Sequence, residues 1–262
     1  MSRAPWVSTI EAQLDTAIPS EQIEASIEVS MYKRNQINEV LVKAIRSTYS
    51  SQPDEVILTR IKRLLDTDRK SRLPSSGDTR SSFAFHEDDA AGSGRDVTFS
   101  HYSVLALFLA LRLMNCGLPQ GRAVSVLRRF REVLEQEHRR MSEVDIASLL
   151  NIEGTVIAGA NALGREKLIA KGNVVEDSGN MVFFCVHADL EAVGEVTRMI
   201  AGKDGPRPDI ICRGWEELEK RVKLDGYSNS PTLVVELMNP FIQLNHLLSK
   251  TQPARRGRRR GT

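Results

Sequence analysis

The chain has 262 residues, 41% of them apolar and 27% charged, a composition that fits one or two buried cores. Aromatic residues make up only 5%, thin for an aromatic-lined ligand pocket, and Cys116, Cys185 and Cys212 lie too far apart for a zinc knuckle or a disulfide framework. The formal charge is +2, but the last eight residues, RRGRRRGT, hold five arginines and the rest of the chain sums to −3, so charge balance alone assigns the body no nucleic-acid role.

The first fifteen residues, MSRAPWVSTIEAQLD, lack the apolar core of a signal peptide, and the expected location is the cytoplasm. From Pro19-Ser20 a helical pattern reaches Tyr49, with Ile23, Ile27, Ile37, Leu41 and Ile45 on its stripe and a polar interruption at 33–35 where a break is expected. It ends at SSQP, because the residue before Pro53 disfavours helix. Pro53 suits the first turn of the next helix, PDEVILTRIKRLLDTDRK, with Asp54 and Glu55 at the positive end of its macrodipole. Ile57, Ile61, Leu64 and Leu65 mark its inner face, and Thr59, Arg60, Lys62 and Arg63 its outer one. From Thr59 to Arg80 seven Lys or Arg stand against three Asp.

After the loop LPSSGDTRSS, two β-like runs, 82–85 and 96–99, bracket an acidic, Gly-rich loop and predict a hairpin. Ser100 is the expected N-cap of a helix that is apolar all round, ended by Gly117 and Pro119. Its run from Val104 to Met114 falls short of the roughly 20 apolar residues a membrane span needs, so it reads as a central buried helix. Residues 119–140 read as one amphipathic helix with Ala123, Leu127, Phe130 and Leu134 inside and Arg128, Arg129, Glu132 and Glu135 outside. Beyond Ser142 the pattern turns to mixed α/β. Strands are expected at 181–188, 208–214 and 232–238, and helices at 189–200, 215–223 and 240–248. The fold class is α+β: a mainly helical N-terminal half with a hairpin wing and a small α/β C-terminal half. The expected divisions are N-terminal helices over 1–50, a winged-helix-like domain over 51–140, the α/β domain over 141–250 and a basic tail over 251–262.

Residues that carry chemistry elsewhere are sparse. The five histidines, at 86, 101, 138, 187 and 246, show no metal-ligand spacing, and His86 with Glu87, Asp88 and Asp89 reads as an acidic loop. Cys185 and His187 share a strand face, but a nucleophile pair needs a third orienting group, and Cys185 reads as a core thiol. GSGRD lacks the lysine of a phosphate-binding loop. The expectation is therefore no enzyme, no cofactor and no metal.

The order helix, basic helix, hairpin, buried helix, amphipathic helix is that of a winged helix-turn-helix module. Residues 98–137 resemble the second half of MerR-family DNA-binding domains, on Phe99-Ser100-x-Tyr102, LALRLMNCGLPQG and AVSVLRRF. The resemblance extends more loosely to 54–137, where TRIKRLLDTDRK replaces the family's aromatic-rich segment. The chain as a whole is similar to alphaproteobacterial proteins. The resemblance implies a transcriptional regulator that contacts double-stranded DNA as a homodimer, with the C-terminal half sensing an effector or self-associating. Arg60, Lys62, Arg63 and Lys70 are the expected DNA-contacting residues, joined nonspecifically by Arg255, Arg256, Arg258, Arg259 and Arg260 of the tail. The alternative is a protein-interaction or assembly module without DNA binding. An enzyme built on the C-terminal layer is a third reading, for which the sequence names no pocket.

Overall fold

A computed structural model describes residues 31–49, 53–70, 83–86, 97–144, 162–172, 181–187, 210–228 and 232–251. All lie in one compact unit, Met31–Thr262. The class is α+β. A two-residue strand, β1 (Tyr32–Lys33), leads into α1 (Arg34–Tyr49), followed by α2 (Asp54–Lys70), β2 (Thr98–Phe99), α3 (His101–Asn115), α4 (Gln120–Arg129) and α5 (Arg131–Glu143). Then come α6 (Ala162–Lys171), β3 (Val182–His187), β4 (Ile210–Arg213), α7 (Gly214–Ser228), β5 (Thr232–Glu236) and α8 (Met238–Ser249). Among the described residues no helix is long and apolar enough to cross a membrane.

The centre is α3, whose residues Tyr102 to Leu111 and Leu113 are all buried. It touches α1, α2, α4, α8, β2 and β5, which is why it needs apolar residues on every side. Its ends match the sequence. Ser100 Oγ accepts from the Ser103 amide at 3.2 Å. At the far end the Gly117 amide bonds the Met114 carbonyl and the Leu118 amide the Leu113 carbonyl, both at 3.0 Å, which is a Schellman closure. That closure places Gly117 at φ +95° with no atom near its missing Cβ. Gly117→Ala therefore strains only the backbone and is expected to cost about 1 kcal/mol, read as a lower denaturation midpoint at unchanged slope.

The break expected at 33–35 is present: Tyr32 and Lys33 are strand, and α1 starts at Arg34. Gln36 explains the start, because its Oε1 accepts from the Lys33 amide at 2.9 Å and satisfies the backbone where the first turn begins. Two local expectations are corrected, and the first is the hairpin. Among the described residues Thr98–Phe99 pairs antiparallel with Tyr32–Lys33, not with 83–85. The amides of Ala84 and Phe85 are taken by the Asp68 carboxylate, and the carbonyls of Phe83 and His86 by Arg131. A backbone bonded in that way has no ladder to offer a second strand. The second is 119–140, which is two helices that meet at Phe130, with φ −104° and ψ 13°.

In the C-terminal half β3 runs antiparallel between β4 and β5, with Phe184 opposite both Ile211 and Val235. The three expected strands and the helices from 215 and 240 are present, while the expected helix 189–200 lies outside the described residues. Phe184 meets Phe130 edge-on at 6.1 Å between ring centroids, joining this sheet to the α4–α5 junction.

Candidate nucleic-acid interface

The α2 helix divides cleanly. Ile57, Ile61, Leu64, Leu65 and Asp68 are buried. Lys62, Arg63, Arg69 and Lys70 are exposed, and Arg60 is half-buried. Arg60 Nη1 donates to Asn115 Oδ1 at 2.8 Å, at the end of α3. Gln120, the first residue of α4, donates through Nε2 to the Arg63 carbonyl at 3.1 Å and to the Thr67 hydroxyl. The basic helix is thus fastened beside the tight turn between α3 and α4. The expected set Arg60, Lys62, Arg63 and Lys70 shares one helix. Arg255, Arg256, Arg258, Arg259 and Arg260 lie outside the described residues.

Arg128 differs from the sequence reading. It is buried, with Nε 2.8 Å from Asp68 Oδ1, and it also bonds the Asp68 carbonyl. Asp68 is fully buried and accepts besides from the Ala84 amide at 2.9 Å and the Phe85 amide at 3.0 Å. Arg131, equally buried, donates to the carbonyls of Phe83 at 2.9 Å and His86 at 2.5 Å and pairs with Glu135 at 2.7 Å. These groups form a polar clamp on 83–86 that fixes the inner side of α2. They are scaffold, since burial removes them from any phosphate.

The histidines also behave differently from their spacing. His101 of α3 and His138 of α5 meet with Nδ1 and Nε2 2.6 Å apart, and both rings lie 5.4 Å from that of Phe241 in α8. One ring nitrogen must donate and the other accept, so the accepting imidazole is neutral. Burial pushes the His101 pKa down to about 3, aided by the neighbouring His138 and opposed by a hydrogen bond with Asn245. Burial takes His138 to about 4, with Glu135 opposing. His86, packed against Phe83 and Phe99, is also lowered by burial to about 4. Among the described residues no three potential ligands gather around a metal. Cys185 is buried as expected; the His187 side chain and the acidic residues after His86 lie outside the described residues.

The cleft lined by Glu137, Met141, Val182, Arg213 and Met238 holds about 20 Å³, space for roughly one water. Glu137 is buried there and bonded to Arg213, with Arg140 at 3.8 Å. Comparison with known proteins finds no matching family model, no matching curated protein and no matching solved structure.

Proposed function

We propose that the protein is a cytoplasmic, homodimeric DNA-binding regulator that contacts duplex phosphates through the outer face of α2. The reading is carried by the one-sided charge of that helix. Lys62, Arg63 and Lys70 are exposed, with Arg60 at the flank, while the opposite side is held by the Asp68–Arg128 pair. A rigidly mounted basic helix loses little side-chain and backbone freedom on meeting a phosphate array, and each cation placed on a phosphate releases a condensed counterion. Arg255, Arg256, Arg258, Arg259 and Arg260 add affinity without sequence preference.

The test is binding to random duplex DNA across a salt series, with the full chain and with a chain ending at Thr251. Both are expected to bind, the shorter with a slope of log K on log salt of about −3, as three or four phosphate contacts give. Lys62→Glu with Arg63→Glu is expected to lower the slope by about 2 and weaken binding to every sequence alike, with the far-ultraviolet spectrum unchanged. Binding by the full chain alone would assign the effect to the tail and reject α2.

A second reading, an assembly module without DNA, is favoured by one observation. Trp215 and Val222 of α7 are 51% and 52% exposed and lie seven residues apart on one helix face, with Val234 of β5 also 41% exposed. Concentration-dependent self-association in sedimentation, together with no duplex binding by the chain ending at Thr251, would favour it.

A further inference from the structure

Cys185 and Cys212 are far apart in sequence, yet their sulfurs lie 3.8 Å apart in the buried sheet. The register explains the meeting. Cys212 of β4 stands opposite Phe183, and Cys185 of β3 stands opposite Ile210, so the two cysteines are diagonal neighbours on one face of an antiparallel pair. Neither is in a disulfide, and they are 0% and 2% exposed, whereas Cys116 is exposed. A disulfide needs its sulfurs at about 2.05 Å, and diagonal neighbours start about 7–8 Å apart at Cα, so closure takes a shift of β4 toward β3 as well as a turn of both side chains. Two thiols already in contact have a high effective concentration for each other, which no other protein thiol or glutathione matches once one is oxidised.

We propose that Cys185 and Cys212 form a two-electron redox site that closes to an intrachain disulfide, with hydroperoxides as the oxidant class. One thiolate attacks a peroxide oxygen, the O–O bond breaks, and a sulfenic acid and hydroxide result. The second thiol then attacks the sulfenyl sulfur, the S–S bond forms and water leaves. The sum is two thiols and one hydrogen peroxide giving one disulfide and two waters. A dithiol reductant reverses it through a mixed disulfide. Peroxide is small enough to enter with a local opening of β4, a four-residue strand at the end of the order β4-β3-β5 among the described residues. Once closed, the bond staples β4 to β3 next to Arg213, whose guanidinium reaches Glu137 on α5. The closed form therefore resists separation of β4 from β3.

The test uses the full-length reduced protein and hydrogen peroxide. Alkylation after unfolding is expected to find thiols falling from three to one, with Cys116 the survivor. Peptide mapping is expected to recover a Cys185–Cys212 cross-link in the monomer, lost again with dithiothreitol. The oxidised chain is expected to melt about 5 °C higher, because the link constrains the unfolded state across 27 residues. Cys116→Ser is expected to form the same cross-link, and Cys212→Ser none. Three alkylatable thiols after treatment, a sulfinic acid without a cross-link, or dimers joined through Cys116 as the sole product would each overturn the site. The wild-type map decides even if Cys212→Ser does not fold.

Discussion

Replacing Asp68 with alanine is expected to destabilise the protein by about 4 kcal/mol, enough to remove a large share of an ordinary domain's stability. The carboxylate is fully buried and holds four things at once: the Ala84 amide, the Phe85 amide, the Arg128 guanidinium and, through that guanidinium, the position of α4 against α2. Alanine leaves a buried cation without its counter-charge and two backbone donors without acceptors, and each of those is costly in a medium that water does not reach. Arg128→Ala is expected to cost less, about 3 kcal/mol, because the remaining carboxylate keeps its two amide donors. The double substitution Asp68→Ala with Arg128→Met is expected to cost less than the sum of the two single changes. Urea unfolding of the three variants checks the order. Equal losses for Asp68→Ala and a surface change such as Glu55→Ala would refute the role given to the clamp. Duplex binding is also expected to weaken in Asp68→Ala, since α2 loses the pair that sets its rotation.

The clamp was readable in the sequence, though not by the rule first applied to it. Asp68 falls four residues after Leu64 and seven after Ile61, on the inner stripe of α2. Arg131 falls four after Leu127 and three before Leu134, and His138 four after Leu134 and three before Met141. Each is a polar residue at an apolar position of a helical repeat, and such residues are buried with partners far more often than they are errors in the pattern. Arg128 is harder to place. It neighbours Leu127 at the edge of the stripe, and only the break at Phe130 and the presence of Asp68 turn it inward. The helices α2 and α3, the caps at Ser100 and Gly117 and the three C-terminal strands follow from local signals, because each depends on neighbours within a few residues. The pairing of Thr98–Phe99 with Tyr32–Lys33 does not, because strand partners are chosen by which backbone groups remain unbonded, and Asp68 and Arg131 had already taken those of 83–86. The basic face of α2 was legible as composition. Its attachment to the α3–α4 turn through Arg60–Asn115 and Gln120 required the fold.

Acid is expected to unfold the protein well before general carboxylate protonation does, and the three buried imidazoles set the window. His101, His138 and His86 have their pKa values pushed down to about 3, 4 and 4 by burial, against 6.5 for an exposed imidazole. Between pH 6.5 and about 4 the unfolded chain binds these protons and the folded chain does not, so stability falls as pH falls. Each proton contributes about 1.4 kcal/mol per pH unit. Glu236 works the other way. Burial raises it to about 7, opposed by the Met238 and Asn239 amides and by Arg112, so between pH 7 and 4.5 the folded chain holds a proton that the unfolded chain lacks. Three imidazoles against one carboxyl leave a net loss of about 2.7 kcal/mol per pH unit through that interval, and about 5 kcal/mol from pH 6.5 to 4.5. The His101–His138 contact between α3 and α5, beside Phe241 of α8, holds two of the three imidazoles that resist protonation in the folded chain. Urea unfolding at pH 7.5, 6.5, 5.5 and 4.5 measures the slope. His138→Gln keeps a hydrogen-bonding group but removes one titrating base, and it is expected to flatten the slope by about one proton, or 1.4 kcal/mol per pH unit, whatever it costs at neutral pH. A slope unchanged by that substitution would place the acid sensitivity elsewhere.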